Sequence, residues 1–185
     1  MKSLRNFEVE PAASSILADD ILEFHAARLL LLIRFCGKRS CIEGLTKMAK
    51  LDFFVRYPQF FAIVCTNLQE PVAPSTSVRE SEMIRYHYGP WDPRYYHVLG
   101  YLEARELIEA AVRHSQKGPF HLCLTEAGKR VAEGLASSPS FAELIAQMKL
   151  VKKALGNKTG SSLKKLIYAT FENEVSLRGL GERII

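Results

Sequence analysis

Apolar residues recur every three or four positions over most of the chain, which predicts a largely helical protein. The most regular pattern begins after Asp19, a candidate N-cap, and ends at Gly37. Ser40 is predicted to begin a second, shorter helix, because Glu43 stands three residues later, as in a capping box. Pro58 suits the first turn of a further helix that is rich in aromatic residues.

The middle of the chain changes to a period of two, which is typical of strands. Residues 84–88 alternate in this way before Gly89 and Pro90 stop the pattern. The runs 108–112 and 120–124 also alternate, and a turn at 117–119 between them predicts a β-hairpin.

Helical patterns surround this hairpin. Asp92-Pro93 predicts the start of a helix that runs to about Glu106, and Thr125 predicts an N-cap. Two more helices are expected at about 140–155 and 161–172, separated by a glycine-containing turn.

This order of elements predicts a mainly α protein with a small β-hairpin (α+β), built on a winged helix-turn-helix core with helical extensions at both ends. We expect an N-terminal helical part at 1–69, a winged-helix part at 83–138 with its wing at 108–125, and a basic C-terminal helical extension at 139–185. Residues 70–82, with two prolines and four hydroxyl residues, are the predicted linker. The three parts are expected to form one compact domain.

Composition narrows the class of protein. The 185 residues are 48% hydrophobic and 24% charged, as in a soluble globular chain. No apolar run comes near the roughly 20 residues that cross a bilayer, so no membrane contact is expected. No charged-then-apolar leader opens the sequence, and the four cysteines form no CxxC pair, so we expect reduced thiols in a cytoplasmic protein.

Positive charge is concentrated late in the chain. The net charge is +1 over residues 1–70, zero over 71–138 and +4 over 139–185. DNA contact through this basic tail, through partner proteins, or both is one interpretation, and a solvated helix face is the simpler explanation of the lysines. The candidate nucleic-acid-binding residues are Arg94, Arg105, Lys117, Lys152, Lys153, Lys158, Lys164 and Lys165.

Catalytic chemistry is not indicated. No nucleophile with a base, no carboxylate pair and no metal-ligand spacing stands out, so we expect no catalytic residues, no bound metal and no cofactor. The segment Gly156-Asn-Lys-Thr-Gly160 lacks the spacing of a phosphate-binding loop and is better explained as a turn between helices.

Aromatic residues cluster in two places, 53–61 and 86–96. At such density they are usually core, and the alternative is that some anchor a protein interface. The candidate interface residues are Phe53, Phe54, Phe60, Phe61, Trp91 and Tyr95.

Four segments resemble a known family: Leu29–Phe35, Leu51–Pro58, Tyr88–Tyr95 and Leu163–Tyr168. Over about residues 20–172 the chain resembles the small winged-helix middle component of ABC-three-component systems, including Lamassu-type bacterial defence. The resemblance implies a non-catalytic accessory subunit that links an SMC-like ABC ATPase to an effector subunit, such as a nuclease, in an anti-phage or anti-plasmid complex. The alternative is a dimeric winged-helix transcriptional regulator, which would read a palindromic site.

Overall fold

The computed structural model describes residues 21–69, 82–112 and 120–184. The described residues form seven α-helices: α1 Leu22–Cys36, α2 Gly44–Arg56, α3 Pro58–Asn67, α4 Tyr95–Ala104, α5 Glu126–Ala136, α6 Ala142–Leu155 and α7 Gly160–Thr170. The strands are β1 Cys41–Glu43, β2 Met83–Tyr86, β3 Gly89–Trp91, β4 Ile108–Val112, β5 Phe120–Leu124 and β6 Arg183–Ile184. The chain is thus mainly helical with small antiparallel sheets, which confirms the α+β prediction.

The strands form two antiparallel sheets, ordered β1-β5-β4 and β3-β2-β6. The predicted hairpin strands are confirmed, with Ile108 opposite Leu124 and Val112 opposite Phe120. The predicted turn at 117–119 lies outside the described residues, as does most of the predicted linker.

The prediction that a second helix begins at Ser40 is wrong. Residues Cys41–Glu43 form β1, α2 begins at Gly44, and Glu43 makes no side-chain capping hydrogen bond. The reason is a distant partner, because β1 pairs with β5, which places Cys41 opposite a residue 82 positions later in the sequence. Positive φ angles at Arg39 and Ser40 turn the chain from α1 into this strand.

Helix α1 is the centre of the core. Its residues Leu29–Ile33 are at most 2% exposed, and it packs against α2, α4, α5 and α6. All three parts predicted from the sequence contribute to one hydrophobic cluster, which extends from Ala26 to Ile184.

The six aromatic residues predicted as interface anchors are buried, which makes that prediction wrong. Phe53 and Phe54 are fully buried, and the other four are at most 9% exposed. Their rings pack within the chain, as where Phe53 stacks on Phe60 with ring centroids 5.4 Å apart. Phe171, beyond α7, packs edge-on against Phe60 at 4.8 Å.

The other helices agree well with their patterns. Thr125 caps α5 by accepting a hydrogen bond from Gly128 N at 3.0 Å, as predicted. Helix α4 begins at Tyr95 rather than directly after Asp92. No helix within the described ranges is long and apolar enough to cross a membrane.

Candidate nucleic-acid interface

Two adjoining pockets form a surface groove whose charged lining residues are mainly basic. One has a volume of about 360 Å³ and the other about 510 Å³, and both are lined by Glu43 and Lys47. The basic side chains of this groove are Lys38, Arg39, Lys47, Lys164 and Lys165. Glu43 is the one acidic residue among its described lining residues. We call this surface the basic groove.

The walls of the basic groove come from segments distant in sequence. The turn from α1 to β1 supplies Lys38 and Arg39, α2 supplies Lys47, and α7 supplies Lys164 and Lys165. The first turns of α2 and α7 approach closely at Gly160, where a Cβ would lie 3.1 Å from Lys47 N. A larger residue at this position would push the two helix ends apart.

Two lysines beside the groove hold the helix ends together. Lys152 Nζ donates to the carbonyl oxygens of Cys36 and Gly37, both at 2.9 Å, at the end of α1. Lys47 Nζ donates to Gly156 O at 2.8 Å, just beyond α6. A cation at a helix C-terminus stabilises the carbonyl groups that have no partner within the helix.

Burial and neighbouring positive charges lower the pKa values of two lysines. Burial lowers the pKa of Lys47, and the nearby charges of Lys152 and Lys38 lower it further, although Glu43 opposes them. Burial also lowers the pKa of Lys50 to about 7, with a further contribution from Lys164. Mutually repelling ammonium groups favour a bound anion, since an anion would relieve their repulsion.

The predicted nucleic-acid-binding lysines differ in whether they line the basic groove. Lys164 and Lys165 line the basic groove, and the Lys164 ammonium lies 5.0 Å from the centroid of the Tyr88 ring. Lys152 acts within the fold, because its ammonium is held by the α1 carbonyl groups, which corrects its predicted role. Lys153 is exposed on α6 and Lys158 is half-buried in the turn, and neither lines the described groove.

Arg94, a predicted nucleic-acid-binding residue, is engaged by contacts within the chain. Its guanidinium donates to both carboxylate oxygens of Asp92, at 2.9 and 2.7 Å, and lies 2.8 Å from His25 Nε2. Arg105 is exposed and stacks 4.5 Å from the Tyr101 ring centroid, so its predicted role stays a prediction. Lys117 lies outside the described residues.

The exposed surface around α4 and β4 carries more acidic than basic residues. Glu103, Glu106 and Glu109 are exposed there, against Arg105. Duplex DNA would be repelled from this described surface, although α4 precedes the hairpin as a recognition helix would.

A buried charge cluster lies inside the molecule and joins α1, α2 and the start of α4. Arg28 Nε donates to Asp52 Oδ1 at 3.2 Å, and Tyr95 OH donates to Asp52 Oδ2 at 2.7 Å. Arg56 donates to Asp92 Oδ2 at 2.7 Å. Burial would raise the pKa of Asp92, but the hydrogen bonds from Arg94 and the charge of Arg56 together hold it well below its usual range.

This cluster is structural. Arg28, Asp52, Arg56 and Asp92 are each about 1% exposed or less. Burial, and then the charge of Asp52, hold the pKa of Tyr95 well above its usual value, so its hydroxyl stays protonated. Side chains that are enclosed in this way fix the angle between helices rather than meet a substrate.

The expectation that all four cysteines are reduced is wrong for one pair. Cys41 and Cys123 are opposite each other on β1 and β5 and form a disulfide. Cys36 and Cys65 are buried. Burial raises the pKa of Cys36 to about 12, and its thiol donates to Met148 O, which makes it unreactive.

No group of three or more His, Cys, Asp or Glu side chains within the described ranges is placed to hold a metal ion. Sequence reasoning missed Lys38, Arg39 and Lys47 as site residues. In the sequence, the Gly-Lys-Arg segment indicates only a turn between helices. The pairing of β1 with β5, which places this turn in the groove, is not indicated by any local pattern.

Comparisons with known protein families, with curated proteins and with solved structures find no match to this chain.

Proposed function

We propose that this chain is a non-catalytic accessory subunit that contacts the phosphate backbone of nucleic acid through its basic groove. The observation that carries the proposal is the set of five basic side chains, against one carboxylate, that lines two adjoining pockets. Phosphate contacts by lysine and arginine supply most of the non-specific affinity of proteins for nucleic acid. Such contacts give affinity with little sequence preference.

The topology supports a winged-helix core for this subunit. Helices α1, α2 and α4 would be the three helices of that core, and the β4–β5 hairpin would be the wing. Strand β1 pairs with β5 to complete a three-stranded sheet in the order β1-β5-β4. Helix α3 and the β2–β3 hairpin would then be an insertion between the second and third helices.

The charge pattern favours an accessory subunit over a transcriptional regulator. A regulator presents a recognition helix to the major groove, and the acidic surface around α4 opposes that. The basic groove, by contrast, suits backbone contact by a protein that receives its DNA from a partner.

The partners in this proposal are an SMC-like ABC ATPase and an effector subunit, such as a nuclease, in a bacterial defence complex. The resemblance of the segments Leu29–Phe35 and Tyr88–Tyr95 to middle components of ABC-three-component systems supports them. The subunit would contribute DNA contact, while the ATPase and effector would supply the chemistry.

The test is charge reversal in the groove. The variant Lys38→Glu/Arg39→Glu/Lys165→Glu changes three exposed groove residues and spares Lys47, whose ammonium has a partner within the fold. We expect weaker binding to DNA of any sequence, with the slope of log affinity against log salt reduced in magnitude by about 0.7–0.9 for each phosphate that the variant no longer neutralises. Fluorescence anisotropy over a salt series measures both.

The matched control is Arg130→Glu/Lys149→Glu/Lys153→Glu, which makes the same change of charge at exposed positions outside the groove. This control should keep most of the wild-type affinity and salt slope. Equal effects of the two variants would mean that only net charge matters and would refute the groove.

A further inference from the structure

Four aromatic side chains form a continuous row on the β2–β3 hairpin and the start of α4. The ring centroids of His87 and Tyr86 are 4.9 Å apart, those of Tyr86 and Trp91 are 5.7 Å apart, and those of Trp91 and Tyr96 are 5.5 Å apart. We call these four residues the aromatic row. Tyr86 is 40% exposed and Tyr96 is 63% exposed, whereas Trp91 between them is buried.

The fold holds the aromatic row in place. Trp91 packs edge-on against the fully buried Tyr95 at 5.0 Å, and Trp91 is paired with Ile84 across the β2–β3 ladder. Rings that are already ordered lose little conformational entropy when a ligand packs on them. The outer tyrosines are therefore suited to bind flat apolar groups.

The same hairpin reaches the basic groove. Tyr88 is 58% exposed and lines the groove, with Lys164 over its ring. Only His87 stands between Tyr88 and Tyr86 in the sequence, so their Cα atoms are at most about 7 Å apart. The exposed rings of this hairpin thus adjoin a lysine of α7 that attracts phosphate.

We propose that Tyr86 and Tyr96, the exposed rings of the aromatic row, stack the bases of a single-stranded nucleic acid whose phosphates lie in the basic groove. This inference rests on the proposed function and names its ligand class. Aromatic side chains stack on unpaired bases with little dependence on sequence. The faces of paired bases inside a duplex are covered by their neighbours, so a duplex gains nothing from the row.

The experiment compares strands with and without bases. Fluorescence anisotropy would measure binding of the full chain to a 20-nucleotide oligothymidylate, to an abasic strand of the same length and to a 20-base-pair duplex. An oligouridylate arm would distinguish DNA from RNA as the source of the strand. Trp91 is the one tryptophan of the chain, so its fluorescence reports directly on the row.

Three variants separate stacking from folding. Tyr86→Leu/Tyr96→Leu removes two aromatic faces but keeps apolar side chains, and Tyr86→Phe/Tyr96→Phe keeps the faces. Tyr101→Leu is the control on α4, at a tyrosine outside the row. Thermal unfolding of each variant would verify that it folds.

For the wild type, the Phe variant and Tyr101→Leu, we expect binding to oligothymidylate about tenfold or more tighter than to the abasic strand, with Trp91 quenched. In the Leu variant this difference should disappear while affinity for the abasic strand is unchanged. Persistence of the difference in the Leu variant, or its disappearance in the Phe variant, would overturn the inference.

The remaining outcomes separate this inference from the proposed function. Equal wild-type affinity for oligothymidylate and for the abasic strand would refute base stacking but would leave the basic groove as the nucleic-acid contact. Absence of wild-type binding to every strand and to the duplex would refute the basic groove as well.

Discussion

At the residue scale, the fold places a lysine where water is excluded. Lys50 is 1% exposed, and its Nζ donates to Pro90 O at 2.9 Å. Because burial disfavours the ammonium form, the pKa of Lys50 falls to about 7 in the folded chain, from 10.5. Between these values the unfolded chain holds a proton that the folded chain has released, so stability must rise with pH across this window.

We therefore predict that the free energy of unfolding increases by roughly 1–3 kcal/mol between about pH 7 and pH 9.5. In Lys50→Met this rise should be smaller, because the group that titrates is gone. Urea unfolding at the two pH values measures it. Lys47, whose pKa is also lowered, contributes to the rise in both proteins.

Lys153→Met is the control for this pH dependence, since it removes an exposed lysine from α6. It should keep the wild-type rise in stability. An equal rise in the wild type and in Lys50→Met would show that Lys50 is protonated in the folded chain at neutral and alkaline pH.

At the element scale, the buried charge cluster joins helices that are far apart in sequence. Asp52 on α2 accepts hydrogen bonds from Arg28 of α1 and from Tyr95 of α4. Removing one partner of a buried ion pair leaves the other charge unpaired and out of reach of water. Asp52 thus links all three helices.

We predict that Asp52→Asn lowers the free energy of unfolding by about 3–5 kcal/mol, because the buried guanidinium of Arg28 loses its nearest counter-charge. Chemical denaturation followed by circular dichroism measures this decrease. Glu133→Gln makes the same chemical change in the exposed pair with Arg34, whose charged atoms are 3.4 Å apart. That control should change stability by no more than experimental error, and a similar decrease in both variants would contradict the assignment.

At the scale of the whole molecule, positive and negative charges are concentrated on different surfaces. Positive charge lies in the basic groove, and the described surface of α4 and β4 has an excess of acidic residues. In a symmetric dimeric regulator, the α4 surface of each protomer would have to contact DNA. A subunit of a larger complex does not have to place its α4 surface on DNA.

We accordingly predict that the tagged full chain, purified from its native host, carries an SMC-like ABC ATPase in a stoichiometric amount. Quantitative mass spectrometry of the purified material measures this. The groove variant Lys38→Glu/Arg39→Glu/Lys165→Glu is the control, and it should retain the ATPase, because the groove contacts DNA in this proposal. Recovery of a lone homodimer that binds a palindromic site would instead support the regulator.

Much of the fold follows from local patterns in the sequence. The period of the apolar residues predicts α1, α3, α6 and α7, and alternation predicts the strands β4 and β5. Thr125 can be identified as a cap because capping depends on residues within one turn. In each case the deciding interaction joins residues that are close in sequence.

Contacts between segments far apart in sequence bring the charges and rings together. Strand β1, the Cys41–Cys123 disulfide and the basic groove all depend on contacts between residues about 80 or more positions apart, and no local period encodes those contacts. Local patterns were enough to predict a helical chain with a β-hairpin and a basic C-terminal part. It left open that Lys152 stabilises a helix end while Lys38 lines the groove, because a lysine has the same local pattern in either place and only its tertiary contacts distinguish the two.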